Sequence, residues 1–349
     1  MYKTLIDRLI KENNLSAAEY LMLIENRGEI RDYAAKKACE LRNKIYGKKV
    51  FIRGLIELSS YCKNDCYYCG IRALNKNAER YRLTKEEILS CADEGYRLGF
   101  RTFVMQGGED GYYTDELLSE IIREIKRRYP DTAVTLSLGE RSYESYRTLK
   151  EAGADRYLLR HETANKEHYA KLHPKEMSFE NRQECLRQLK SLGYQTGAGF
   201  MVGSPYQTNE DLARELIYLR ETQPEMVGIG PFIPHKDTPF ADFEGGTAEM
   251  TVFLLSLIRL TLPRVLLPAT TALGTIDPMG REKGIMAGAN VLMPNLSPVS
   301  VRKKYELYDN KICTGEEAAQ CIGCLSERVK NAGCEIVKDK GDFKNEIRR

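Results

Sequence analysis

Three cysteines in one short loop are the residues of this chain best suited to metal chemistry. They stand in SSYCKNDCYYCG as Cys62, Cys66 and Cys69, a C-x3-C-x2-C pattern. Thiolates are soft ligands that bind zinc or iron–sulfur clusters. A structural zinc site normally takes four ligands, and the neighbouring sequence offers no evident fourth one. Three thiolates on a cubane leave one iron open to a further ligand, which is an arrangement that an enzyme can use.

Glycine-rich turns after apolar runs form a second group of candidates. Gly107 and Gly108 stand directly before Glu109, and glycine lets a backbone approach a ligand closely. The run GAGFMVG places Gly199 and Gly203 four residues apart, whereas the G-x-G-x-x-G dinucleotide fingerprint requires a spacing of three. This run is therefore not interpreted as a dinucleotide-binding loop.

The bulk composition favours a small ligand over a nucleic acid or a membrane. Lys plus Arg number 53 against 50 Asp plus Glu, a net charge of +3 without long like-charge blocks. The first 28 residues mix charges into their apolar positions, unlike a signal peptide, and the apolar stretch 251–267 is broken by Arg259, Pro263 and Arg264. Ten cysteines without an export signal indicate thiols kept reduced in a cytosol. We expect a soluble, cytoplasmic protein.

From about residue 49 the chain alternates β-rich apolar runs with amphipathic helical patterns, which is typical of parallel βαβ units. Helix starts are visible, as where Thr84 and Glu87 form a capping box. The eight strand candidates are VFIRGLIEL, RTFVMQ, AVTLSL, ADRYLLRHE, QTGAGFMVG, MVGIGPFI, VLLPATTAL and NVLMP. They predict an α/β fold, a (β/α)8 TIM barrel, although an open doubly wound sheet has similar local patterns. The cysteine loop follows the first strand, at the end where barrels place active sites.

The predicted barrel occupies residues 48–300. Residues 1–47 are predicted to form a helical N-terminal extension, and residues 301–349 a short C-terminal extension with more cysteines. The charged end, KDKGDFKNEIRR, is expected to fray. Neither flank has the pattern of an independent catalytic domain.

The cysteine loop, with aromatic Tyr68 just before Cys69, resembles the motif of the radical S-adenosylmethionine (SAM) superfamily. In that superfamily the cysteines hold a 4Fe-4S cluster whose open iron binds SAM, and electron transfer cleaves SAM to a 5′-deoxyadenosyl radical. The resemblance implies that Gly107, Gly108 and Glu109 hold the amino group of SAM. It also implies that GAGFMVG packs against the adenosine through Met201, where the superfamily often has isoleucine.

Longer runs resemble the radical SAM maturases of FeFe-hydrogenase, including TLSLGER, YLLRHETAN, SFENR, MVGIGPFIPH, PATTALGTI and GANVLMPN. This resemblance implies further SAM contacts, at Thr135, Ser137, Glu162 and Arg182. It also implies a deeper substrate-binding set: Arg156, Arg160, Thr270, Thr271, Met293 and Tyr305. The two arginines are four apart in a strand candidate, so they should face the same side, and a buried arginine pair requires anions such as a carboxylate or cyanide-bearing ligand.

A second cysteine triad lies in the tail, as Cys313, Cys321 and Cys324 in C-x7-C-x2-C spacing. Spacing alone is compatible with zinc or an Fe–S site. The resemblance implies a second, peripheral Fe–S cluster that is dispensable for activity.

The resemblance implies that the enzyme acts on a small cysteine-derived iron complex during assembly of the hydrogenase H-cluster. It implies a one-electron donor, ferredoxin or flavodoxin, and other hydrogenase maturases as partners. Biotin synthase and methylornithine synthase share the barrel and first cluster and are the alternatives within the enzyme class. An Fe–S cluster carrier is the alternative from a different class, although a carrier has no need of SAM-contacting residues.

Overall fold

The protein is described by a computed structural model that covers residues 1–315 and 322–344. The helices are α1 Tyr2–Glu12, α2 Ala17–Glu25, α3 Arg27–Tyr46, α4 Lys85–Arg97, α5 Asp115–Arg128, α6 Tyr143–Glu151, α7 Lys166–Leu172, α8 Phe179–Ser191, α9 Asn209–Thr222, α10 Ala248–Thr261, α11 Thr271–Ile276, α12 Gly280–Met286, α13 Val299–Arg302 and α14 Ile322–Asn331. The strands are β1 Lys49–Ile52, β2 Gly54–Ser59, β3 Thr102–Gly107, β4 Ala133–Ser137, β5 Arg156–Leu158, β6 Gln195–Ala198, β7 Met201–Val202, β8 Met226–Val227, β9 Gly230–Pro231, β10 Val291–Leu292 and β11 Glu335–Val337.

The strands form a closed parallel ring, as the βα alternation predicts. Strands β2, β3, β4, β5, β6 and β8 pair side by side, each parallel to the next. Single parallel bridges complete the circle, joining Met226 to Leu266, Pro268 to Val291, and Asn295 back to Leu55. The fold is therefore a TIM-barrel-like α/β fold, and its strands point their carboxyl ends at one rim.

The seventh strand candidate differs from its prediction. The segment before Pro268 is extended, but Thr270 caps α11 and accepts a hydrogen bond from the Leu273 N–H at 3.4 Å. The second half of VLLPATTAL is thus a helix start, because a threonine side chain can satisfy a free N–H of the first turn. The predicted Thr84–Glu87 capping box of α4 is present.

The N-terminal helices cover one half of the barrel. Apolar residues of α1, α2 and α3 share one buried cluster with α9, α10 and strands β6 to β8. The other half is covered by α4, α5, α6 and α8, which pack against β2 to β5. In the described ranges, no helix combines the length and apolarity needed to cross a membrane.

The C-terminal tail closes the floor of the barrel, at the amino ends of the strands. Strand β11 pairs in parallel with β1. Beyond it, the Lys340 carbonyl accepts a hydrogen bond from the Thr102 hydroxyl at 2.8 Å, and Asp342 pairs with Arg156. The expectation that this charged end frays is wrong for residues 338–344, because their polar groups find partners on the barrel floor. Residues 345–349 lie outside the described part of the chain.

Candidate active site

The cysteine loop occupies the rim position predicted for it, directly after β2. Arg80 holds the loop in shape, since its guanidinium donates hydrogen bonds to the carbonyls of Ile71 (2.8 Å), Arg72 (2.7 Å) and Asn75 (3.0 Å), and also to that of Ser60. An ion pair between Arg72 and Asp65 also crosses the loop. Four carbonyls on one guanidinium fix a backbone that belongs to no helix or strand.

The three thiols of the loop line one cavity. Cys62, Cys66 and Cys69 are half-buried and free of disulfide bonds. Burial is the main cause of a raised pKa at each thiol, to about 12 for Cys69, and their mutual proximity raises the pKa of Cys66 and Cys69 further. Three clustered thiolates are therefore costly without a positive partner, and iron provides one.

The turn after β3 packs directly on the cysteine loop. A Cβ atom added at Gly108 would lie 2.2 Å from the Tyr61 carbonyl oxygen, so only glycine fits there. The Glu109 N–H donates to the Cys62 sulfur at 3.3 Å. The Glu109 carboxylate accepts from the Glu140 N–H at 2.8 Å and pairs with Lys63 at 3.1 Å. The predicted glycine and glutamate therefore lie beside the thiols.

A network of alternating charges lies across the cavity from the loop. Arg160 donates to both carboxylate oxygens of Glu162, at 3.1 and 2.9 Å. Arg182 donates to Glu140 at 2.6 Å and to the Arg160 carbonyl at 3.2 Å. Burial lowers the pKa of both arginines, but nearby acidic groups outweigh it and the net shift is upward. The main raising group is Glu162 for Arg160, and Tyr169 followed by Glu140 for Arg182. Both guanidinium groups therefore remain charged at the cavity wall.

The structure brings nearly all the other predicted site residues into the same cavity, which offers about 360 Å³, a typical size for a ligand site. Its wall includes Tyr68, Gly107, Thr135, Ser137, Met201, Thr270, Thr271, Met293 and Tyr305. The Thr135 hydroxyl is buried and makes no hydrogen bond within the described residues. The Tyr305 hydroxyl accepts from Gln106 at 3.3 Å.

Arg156 is the exception, and the prediction that it shares a cavity with Arg160 fails. Its guanidinium is buried in the barrel floor, where it donates to Thr102 at 3.0 Å, the Lys340 carbonyl at 3.0 Å and Asp342 at 2.6 Å. Strand β5 ends at Leu158, so the same-face rule for positions i and i+4 does not extend to Arg160. The anion that pairs with Arg156 is therefore the carboxylate of Asp342, in the C-terminal tail of the same chain.

Three charged residues of the cavity wall, Glu57, Lys311 and Arg53, were not among the site residues predicted from the sequence. Glu57 on β2 is buried and accepts from Lys311 at 2.5 Å and Asn295 at 2.8 Å. Burial is the main cause of its raised pKa. Arg53 is buried, and its Nε and Nη2 find no partner in the described residues. A charged residue inside an otherwise apolar strand is the signal that could have revealed Glu57.

The residues present suit a cubane cluster with SAM beside it. The thiols face a cavity that also holds a glycine turn too tight for a side chain, an unpartnered hydroxyl at Thr135 and charges of both signs. Within the described residues, no three His, Cys, Asp or Glu side chains meet closely enough to hold a single metal ion. In a cubane the three thiolates bind three different irons, so they need not meet at one point.

The tail triad is only partly described. Cys313 accepts a hydrogen bond from Arg281 at 3.1 Å, and Cys324 lies in α14. Cys321 lies outside the described residues. The second Fe–S site therefore stays a prediction.

Comparisons with known proteins agree with this site. The sequence profile of the Radical SAM superfamily matches residues 56–217. The chain is 49% identical over 321 residues to the [FeFe] hydrogenase maturase subunit HydE of Thermotoga maritima, covering 92% of this chain and 91% of that protein. It is 29% identical over 319 residues to 3-methylornithine synthase of Methanosarcina acetivorans, covering 90% and 88% of the two chains. The crystal structure of methylornithine synthase (PylB) matches with a TM-score of 0.83 at 26% identity, covering 95% and 97%. The chain is therefore an enzyme of the HydE family within the radical SAM superfamily, whose members use a 4Fe-4S cluster and SAM.

Proposed function

We propose that this enzyme is a maturase of FeFe-hydrogenase that cleaves SAM and acts on a small cysteine-derived iron complex during H-cluster assembly. The observation that carries the proposal is the 49% identity to HydE across nearly the whole chain. The alternatives, methylornithine synthase and biotin synthase, are at most 29% identical to this chain among the relatives compared.

The cavity divides between two ligands. When bound and reduced, the cluster supplies the electron that splits SAM to a 5′-deoxyadenosyl radical. At the rim, Glu109 and Glu162 provide acceptors for the ammonium and hydroxyl groups of SAM, and Arg182 provides a planar fork for its carboxylate. Tyr68 and Met201 pack at the same end. Each of these charged side chains is already held in place by a partner in the protein. This lowers the conformational entropy that is lost when SAM binds.

The substrate end lies deeper in the barrel. Arg160 and the hydroxyl-bearing Thr270 and Thr271 supply donors for a carboxylate or cyanide ligand, with Tyr305 and Met293 completing the wall. Lys311 adds a second cation there, held against Glu57. These groups together favour a small anionic substrate.

The proposed partners follow from the chemistry. Single electrons require a donor, for which a ferredoxin or flavodoxin is suitable, and the iron complex requires other hydrogenase maturases to supply and receive it. A cytoplasmic location suits cysteines that must stay reduced to bind iron. The tail triad is proposed to hold a second Fe–S cluster.

The test is anaerobic release of 5′-deoxyadenosine by reduced, reconstituted protein. Replacing Cys62, Cys66 or Cys69 with Ser should abolish release, because the cubane loses a thiolate ligand. Cys91→Ser, which alters a buried thiol outside the cavity, should leave release unchanged. Cys324→Ser should reduce iron content and spare most of the release.

Three outcomes would contradict the proposal. Protein that holds a complete cluster but does not cleave SAM would favour the alternative function, an Fe–S cluster carrier. If Cys324→Ser abolished 5′-deoxyadenosine release as fully as the loop variants do, the tail site would be required for catalysis. Formation of 3-methylornithine or biotin, in place of turnover of a cysteine-derived iron complex, would favour methylornithine synthase or biotin synthase.

A further inference from the structure

The backbone at Glu162 adopts a conformation that its side chain disfavours. Its φ is +66°, in the left-handed region that residues with a Cβ rarely occupy. This conformation turns the buried carboxylate into the cavity, onto Arg160. A strained conformation persists only where the surrounding structure enforces it.

A buried glutamate on a neighbouring helix binds both sides of this residue. Glu215 of α9 is fully buried. One carboxylate oxygen contacts His161 Nε2 at 2.6 Å, and the other accepts from the Ala164 N–H at 2.7 Å. The two bonds therefore hold the residue before Glu162 and the residue two positions after it.

His161 extends this connection to the next strand. Its Nδ1 accepts from the Gly199 N–H at 3.2 Å, so the ring hydrogen lies on Nε2 and is donated to Glu215. The Gly199 carbonyl in turn accepts from the Glu162 N–H at 3.0 Å. A Cβ added at Gly199 would lie 2.0 Å from the Gly228 carbonyl oxygen, so only glycine fits at this position.

We propose that His161 and Glu215 are positioning residues that hold Glu162 in its left-handed conformation and so direct its carboxylate to SAM. This inference rests on the proposed role of Glu162 as a SAM contact. Neither His161 nor Glu215 lines the cavity, so each acts through Glu162. A histidine whose side chain points away from the cavity thereby acquires a function in the SAM site.

Glu215→Gln tests the proposal, because His161 and Ala164 donate to different carboxylate oxygens and the variant replaces one of these with an NH2 group, which cannot accept. Calorimetric titration of the cluster-loaded variant with SAM should show affinity weakened on the order of tenfold, or about 1.4 kcal/mol. Glu282→Gln is the matched control, since Glu282 is also a buried helical carboxylate but pairs with Arg328, and neither residue lines the cavity. The control should bind SAM as the parent protein does.

A double-mutant cycle separates positioning from general stability. In a Glu162→Ala background the carboxylate is absent, so Glu215→Gln should weaken SAM binding no further, although it still lowers the melting temperature. Should Glu215→Gln fail to fold, His161→Gln takes its place, because glutamine can donate to Glu215 but leaves the Gly199 N–H without the ring nitrogen.

Two results would overturn the positioning role: full SAM affinity in the single variant, or an equal further loss in the Glu162→Ala background. A different result would contradict the proposed role of Glu162, on which the positioning role rests. If Glu162→Ala alone leaves SAM affinity unchanged, Glu162 is not a SAM contact and the proposed site fails at that residue.

Discussion

Three cations of the cavity wall are each paired with a carboxylate. Arg160 is bound to Glu162, Arg182 to Glu140, and Lys311 to Glu57. A buried charge without a partner is costly, so each pair lowers that cost and keeps its two side chains oriented. One consequence is that the SAM and substrate ends share a residue, since Arg160 faces the substrate while it holds a predicted SAM contact.

Arg160→Met should therefore weaken binding of both ligands. A cysteine-derived carboxylate loses a charge-assisted hydrogen bond of about 1.5–3 kcal/mol, and SAM meets a Glu162 side chain that is no longer held. Calorimetry with each ligand measures the two effects. Loss confined to the carboxylate would mean that Glu162 is held by the backbone alone.

At the scale of elements, the tail strand and the barrel floor depend on each other. Strand β11 adds to β1, and Arg156 reaches the segment after it through two partners, the Lys340 carbonyl and Asp342. Burial raises the pKa of Asp342, but the charge of Arg156 and the hydrogen bonds from Gln195 and Arg156 together lower it more, so the net shift is downward. The contribution of this carboxylate to stability is thus complete above the unfolded pKa of about 4 and is lost as the pH falls through the folded value.

Arg156→Met should loosen the tail without changing ligand binding. The segment 335–344 loses hydrogen bonds to a charged group, about 1.5–3 kcal/mol in total once the half-exposed position of Asp342 is considered. Amide hydrogen exchange in that segment should quicken, while SAM affinity stays constant. Weakened substrate binding with an unchanged tail would instead restore Arg156 to the substrate site.

Local sequence patterns predicted the helices and strands, but they did not predict contacts between residues that are distant in the sequence. Cys62, Gly108 and Glu109 could be placed because they follow strands whose carboxyl ends meet at one rim. Arg156 could not, since Asp342 lies in a segment without strand or helix periodicity. The start of α11 at Thr270 was missed because a capping threonine inside an apolar run looks like a strand residue.

At the scale of the whole molecule, the barrel does not depend on the cysteine loop for its core. Two apolar clusters, one under α4 to α6 and α8 and the other under α1 to α3, α9 and α10, hold the sheet from opposite sides. Of the three loop cysteines, only Cys69 contacts either cluster, and from its edge. Small metal domains that unfold without their ion lack such a core.

Removal of iron by anaerobic chelation should accordingly leave the fold intact. Far-ultraviolet circular dichroism should be unchanged, because the helices and strands of the described part of the chain all lie outside the cysteine loop. Hydrogen exchange should quicken in residues 60–80, where Arg80 should retain part of the protection, and in the turn at Gly108, which packs on that loop. It should also quicken near Cys313 and Cys324, because the proposed tail cluster is removed as well. The melting temperature should fall only by the amount that cluster binding adds to the stability of the folded state. Global unfolding after chelation would show that the thiol-bound cluster, rather than the two apolar clusters, holds the barrel together.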